Sequence, residues 1–327
     1  MRSEVRIITS AARLPDNGIP TQASDEGFRS STAWPASLRS RRTWPQPPSV
    51  SSSRAGENAA PPLERSNTHG ADSVAEDGEA APRAIALSVA LPCYNEESIV
   101  RDHVLKVVEH LRKTESSFEI LISDDASEDR TAAILAEIVE PEVRVFRYAN
   151  GPTRRENLAL TLRESRGEVV AYMDMDLSSG LDRLSDLIGA VRSGRADIAV
   201  GSRRLPGSQT QRGMLRRWFS GAYNSTVRLL FASRVRDHQC GFKAMRYGTL
   251  QWLLDLMGYD GSLQRGWFWD AELLIRAQHL GLRVEEIPVR WIESAKSSFR
   301  FRQELRVVRY MLRSRARIRR GAREASP

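Results

Sequence analysis

Five short apolar runs, at 85–92, 118–123, 143–148, 169–173 and 196–201, restrict this 327-residue chain to few folds. Between them lie helical patterns at 98–111, 131–138, 155–166 and 181–191. Strands separated by helices of this length cannot pair as hairpins. They predict an α/β domain with a mostly parallel central sheet, right-handed crossovers and both faces covered. In open sheets of that kind ligands lie beyond the carboxyl ends of the strands. Tyr94, Asn95, Asp124, Asp125, Asp174, Asp176, Ser202 and Arg203 all fall there.

The fourth run carries the strongest chemical signal. Val169-Val170-Ala171-Tyr172-Met173 ends in Asp174-Met175-Asp176, two carboxylates spaced so that both can address one cavity. Such a pair repels unless a cation sits between its members, and a divalent ion carrying a diphosphate resolves the conflict. The plain alternative is a strand that ends in a polar turn, with Asp176 capping the next helix. The first crossover, 92–97, contains no glycine. That excludes both the dinucleotide fingerprint and the phosphate loop, so phosphates must be held by a metal and arginines.

Residues 1–84 are rich in Ser, Pro, Arg, Ala and Gly and lack hydrophobic periodicity. They cannot bury enough apolar area to offset their ordering entropy, and a disordered tail is expected. A regulatory tail and an over-extended reading frame both fit. Two distant cysteines, Cys93 and Cys240, make neither a disulfide framework nor a metal signature, and a reducing compartment is the default. No window approaches eighteen uninterrupted apolar residues, so no membrane-spanning helix is expected. The net charge of +8 is concentrated at one end: from Lys296 onward eleven basic residues face Glu304 and Glu324, giving +9 and leaving −1 for the rest.

Five ordered motifs resemble family 2 glycosyltransferases: Pro92-Cys93-Tyr94-Asn95-Glu96-Glu97, Asp124-Asp125-Ala126-Ser127, Asp174-Met175-Asp176-Leu177, Gly201-Ser202-Arg203 and Gln239-Cys240-Gly241-Phe242-Lys243. Within that family the likeness is to dolichyl-phosphate mannose synthases and dolichyl-phosphate glucosyltransferases, over about residues 84–299. It implies a single GT-A domain over 85–298, inverting transfer, and a nucleoside-diphosphate sugar such as GDP-mannose or UDP-glucose held by Mg²⁺ or Mn²⁺. Carried over, Pro92, Tyr94 and Glu96 line the base and ribose pocket, with Asp124 or Asp125 contacting base or ribose. Asp174 touches ribose or sugar or helps with the metal, and Asp176 ligates it. Ser178 stands where mannose synthases carry Gln. The loop 150–157 also matches, its arginines meeting donor phosphates or simply starting a helix.

The second half supplies cations. Arg203, Arg216 and Arg217, with Lys243 and Lys296, are candidates to hold acceptor or donor phosphate. Asp270 and Glu272, early in a helix after Gly266-Trp267-Phe268-Trp269, are candidate catalytic acids. A hydroxyl acceptor would need one of them as base, whereas a phosphate monoester, with a second pKa of roughly 6, is already a nucleophile. The helical pattern at 213–231 bears Trp218, Phe219, Leu229 and Leu230, a candidate lipid surface. From 299 to 327, Phe301, Leu305, Val308 and Leu312 recur among arginines. This basic amphipathic helix is expected to lie on an anionic membrane surface rather than on nucleic acid.

The expected function is hexose transfer onto a polyprenyl phosphate, at the cytoplasmic face of the cell membrane, peripherally or through a membrane-anchored partner. The alternatives are transfer to a sugar or lipid hydroxyl, and a non-catalytic nucleotide-sugar-binding adaptor.

Overall fold

The computed structural model describes residues 6–8, 85–211, 213–292 and 309–318. In chain order the elements are β1 (Arg6–Ile8), β2 (Ile85–Cys93), α1 (Val100–Thr114), β3 (Phe118–Asp124), α2 (Thr131–Ala136), β4 (Val143–Arg147), α3 (Glu156–Arg163), β5 (Gly167–Met173), α4 (Leu184–Arg192), β6 (Ile198–Ser202), β7 (Gln209–Gln211), α5 (Met214–Phe231), β8 (Phe242–Arg246), α6 (Tyr247–Met257), α7 (Phe268–His279), β9 (Val284–Pro288) and β10 (Arg290–Ile292). Residues 309–318 form a further helix.

The main sheet runs β1-β4-β3-β2-β5-β8-β6-β9. β4, β3, β2 and β5 pair in parallel, as the apolar runs predict. Along each strand alternate side chains enter opposite layers. Leu87, Val89 and Leu91 of β2 and Val169, Ala171 and Met173 of β5 join α1, α2 and α4, while Ala90, Val170 and Tyr172 join α3, α6 and α7.

Three features depart from the sequence reading. β8 inserts antiparallel between β5 and β6. Its sequence Phe-Lys-Ala-Met-Arg is short, and it places a lysine where a buried strand ordinarily has an apolar residue. Within the segment read as a disordered tail, Arg6–Ile8 pairs antiparallel with Val145–Arg147; the remainder of 1–84 lies outside the described residues. The C-terminal helix turns Met311, Ser314 and Ile318 inward, and a third core joins Met311 and Ile318 to Val227, Phe231, Phe268 and Ile275. Of the apolar line expected to face a membrane, Leu312 is described and is exposed, on the side away from Met311 and Ile318. Phe301, Leu305 and Val308 lie outside the described residues, as does Lys296.

Candidate active site

β5 decides which layer carries the chemistry. Asp174 directly follows its last residue and continues the face of Val170 and Tyr172, so it meets α3 and α7 rather than α1 and α4. β8 lies alongside in a register that sets Lys243 opposite Tyr172 and Phe242 opposite Met173. Gly241 then passes over Asp174 so closely that a Cβ there would stand 2.3 Å from both carboxylate oxygens. Any side chain at this position would have to displace the Asp174 carboxylate.

Five side chains form one buried chain of contacts. Lys243 Nζ donates to Asp270 Oδ1 at 2.6 Å and to the Cys240 carbonyl at 2.6 Å. Tyr172 donates its hydroxyl to the same Asp270 oxygen at 2.7 Å. Arg155 Nε donates to Asp270 Oδ2 at 3.0 Å, and its Nη2 reaches Asp174 Oδ1 at 2.8 Å. Two cations thus balance two carboxylates. Burial would raise the Asp270 carboxyl, but Lys243 and Arg155 overcome it and hold the group down at about 2. Asp174 keeps 30 % of its side chain exposed, an opening toward solvent. Its pKa is raised, first by desolvation and then by the neighbouring Asp176, against the pull of Arg155.

The turn after β5 is tied to itself. Leu177 N–H donates to the Asp174 carbonyl at 3.1 Å and Ser178 N–H to Asp176 Oδ1 at 3.0 Å. Met175, between the acids, is buried in the layer of α1 and α4, so its bulk never enters the site. Neighbouring loops are stitched likewise. Asn95 Oδ1 accepts from Glu128 N–H at 2.8 Å, and Ser127 Oγ accepts from Asn95 N–H at 3.0 Å. Pro92, Tyr94 and Glu96 are half-buried at the end of β2. Asp124 and Asp125 both turn inward. Asp124 accepts from Ser127 N–H at 2.9 Å, and Asp125 from Thr153, the Arg154 amide and Asn157 at 2.6–2.9 Å.

Several expected roles change. Arg203 is not a free phosphate clamp: it grips Asp237 through Nε at 2.7 Å and Nη2 at 2.8 Å and stacks 4.6 Å from the Trp291 ring. That buried pair holds Asp237 well below the carboxylate range, although burial alone would raise it. Lys243 is fully buried beneath Asp270 rather than exposed to an acceptor. Glu272 lies two residues past Asp270 on α7 and so faces away from it. It accepts from Arg276 at 2.8–2.9 Å and approaches Arg265 at 3.6 Å, inside the protein. Asp270, with three donors on its carboxylate, is no proton acceptor. Arg217 is exposed on α5, and the side chain of Arg216 is outside the description. Arg155, the hub of the network, belongs to the 150–157 loop, whose arginines the sequence left open between donor phosphates and a helix start; its partners in the structure are the carboxylates of Asp270 and Asp174.

The residues near Asp176 suit a hard divalent cation. Ser178 Oγ and Ser179 Oγ are buried without a hydrogen-bond partner, and the donor set is oxygen throughout. Among the described residues no group of three His, Cys, Asp or Glu gathers as a metal cluster. Two carboxylates completed by water and substrate phosphates match the habit of Mg²⁺ and its relatives.

A model described as glycosyl transferase family 2 matches residues 88–252. The chain belongs to that family. Glycosyltransferase AglD of Haloferax volcanii is 36% identical over 216 residues, covering 65% of this chain; the chain spans only 34% of AglD. Dolichyl-phosphate beta-glucosyltransferase ALG5C of Trichomonas vaginalis is 26% identical, covering 67% of this chain and 68% of the relative. The Saccharomyces cerevisiae dolichyl-phosphate beta-glucosyltransferase is also 26% identical, over 64% and 67%. Among solved structures, glucosyl-3-phosphoglycerate synthase from Mycobacterium tuberculosis, in complex with Mn²⁺, UDP and glucosyl-3-phosphoglycerate, superposes with a TM-score of 0.51 at 20% identity. It covers 71% of this chain and 80% of that one. The GT-A fold expected from the motifs is the fold observed.

Proposed function

We propose that this protein transfers a hexose from a nucleoside-diphosphate sugar to a polyprenyl phosphate at a membrane surface. The observation that carries this reading is the state of Asp270. It is the α7 acid nearest Asp174, and Lys243, Arg155 and Tyr172 hold it ionised and saturated with donors. Glu272 faces a different set of arginines. Among the described residues neither α7 acid is placed to take a proton from a hydroxyl, which favours an acceptor that arrives as its own nucleophile, as a phosphate monoester does at neutral pH. The dolichyl-phosphate glucosyltransferases among the relatives support the same acceptor class.

The acceptor phosphate oxygen attacks the anomeric carbon as the bond to the β-phosphate breaks, and the electron pair leaves on the nucleoside diphosphate. No proton moves. One displacement, without a covalent enzyme intermediate, inverts the configuration. Asp174 and Asp176 would hold a divalent ion, with the hydroxyls of Ser178 and Ser179 beside them; when bound it supplies charge stabilisation to the departing diphosphate. Arg155 orients Asp174, and Lys243 and Tyr172 fix Asp270 behind it. Tyr94, Pro92 and Glu96 border the nucleotide.

The membrane reading draws on α5. Trp218 (68% exposed) and Leu229 (84% exposed) are eleven residues apart, hence on one face, with exposed Arg217 and Arg228 beside them. Neither α5 nor 309–318 contains an acidic residue. Two exposed large apolar side chains on one face, each beside an arginine, suit an anionic lipid surface on the cytoplasmic side. No described helix is long and apolar enough to cross a membrane.

The test is label transfer from UDP-glucose and from GDP-mannose, each with Mn²⁺, into a butanol-extractable product with and without polyprenyl phosphate. Lipid label that requires the phosphate and the metal supports the reading; donor consumed with no lipid label overturns it.

A further inference from the structure

The turn bearing Asp174 and Asp176 has a partner outside its own segment. On α1, His103 Nδ1 lies 2.9 Å from the carbonyl oxygen of Met175, the residue between the two acids. A carbonyl oxygen only accepts, so Nδ1 carries a proton in either protonation state of the ring. The turn needs this support. Leu177 adopts a left-handed φ of 51°, and the Leu177 N–H to Asp174 carbonyl bond closes the turn around Met175 and Asp176. The Met175 side chain is pinned in the core, which leaves its peptide plane as the element that sets how the acids on either side are aimed. α1 is itself anchored by Val100, Val104, Val107, Val108 and Leu111, so His103 reaches the turn from a rigid base.

We propose that His103 is a positioning residue for the cation site, its Nδ1–H on the Met175 carbonyl fixing the turn that presents Asp174 and Asp176. The proposal rests on the reading of those acids as cation ligands. Groups that orient ligands from behind typically change metal affinity by about 10–100-fold when removed.

Mn²⁺ uptake in the presence of UDP or GDP, followed by the electron paramagnetic resonance of free Mn²⁺, tests it without turnover. His103→Ala removes the donor; His103→Asn places an amide N–H close to the position of Nδ1; His103→Gln carries the same amide one carbon too far. The expected result is Mn²⁺ binding weakened about 10–100-fold in Ala and Gln and restored to within about threefold of wild type in Asn. Metal-free nucleotide binding and melting temperature should be alike across the variants. Asn as weak as Gln, or Gln and Ala both binding like wild type, would overturn the proposal; if Ala does not fold, the Asn and Gln pair still decides. Wild-type protein that takes up no Mn²⁺ would instead overturn the cation reading, and the proposal with it.

Discussion

Replacing Lys243 with Met separates two accounts of the same residue. A lysine that greets an acceptor phosphate would stand at the surface, and its loss would raise the acceptor KM with little effect on stability. The structure instead shows Nζ fully buried, 2.6 Å from Asp270 Oδ1 and 2.6 Å from the Cys240 carbonyl. Met keeps most of the volume but leaves Asp270 with Arg155 and Tyr172 alone. Removing one partner of a buried pair costs about 3–5 kcal/mol. For a domain of this size that is roughly 6–20 °C in melting temperature. Urea unfolding of wild type, Lys243→Met, Asp270→Asn and the double variant measures it. The double variant should lose at least about 1 kcal/mol less than the sum of the singles, because the two groups interact directly. A Lys243→Met loss within about 0.5 kcal/mol, the range of ordinary surface changes, together with a raised acceptor KM, would refute the buried-pair account.

Other expectations follow from single contacts. Arg155→Lys keeps the charge but loses the fork that reaches Asp270 and Asp174 from separate nitrogens; kcat should fall about 100-fold in steady-state transfer assays. Gly241→Ala drives a Cβ to 2.3 Å from the Asp174 oxygens, and the Mn²⁺ concentration for half-maximal activity should rise about tenfold or more. His238 offers a stability test. Its ring sits between Asn224 Oδ1 at 2.8 Å and Ser233 Oγ at 2.7 Å, and burial pushes its pKa down to about 3. Below pH ~6.5 the unfolded chain takes up this proton first, so its contribution is complete above ~6.5 and drains away as pH falls toward 3, at up to ~1.4 kcal/mol per pH unit. His238→Gln should flatten that part of the stability profile in urea titrations.

The strand tips were legible because period and punctuation are local. An apolar run stopped by Pro92, Asp124 or Asp174 announces both a strand and the end where ligands gather. β8 was not legible, because Lys243, its second residue, contradicts the apolar pattern until its partner Asp270, 27 residues on, is known. The same gap explains Arg203, whose partner Asp237 is 34 residues away. Charge read from sequence suggests exposure, and only tertiary pairing reveals a cation that is spent inside. Asp270 and Glu272 were indistinguishable as neighbouring acids; helical geometry sends one to Arg155 and the other to Arg276. Gly241 stood in one of the five motifs, but its close approach to Asp174 needed the register of β8 on β5.

If the acceptor brings its own charge, neither Asp270 nor Glu272 has to deprotonate it. The most direct test is transfer to polyprenyl phosphate against transfer to the corresponding polyprenol, under identical donor and metal conditions. Product is expected from the phosphate alone, with Glu272→Gln retaining that activity if it folds. Efficient transfer to the polyprenol, abolished by Asp270→Asn or Glu272→Gln, would contradict it.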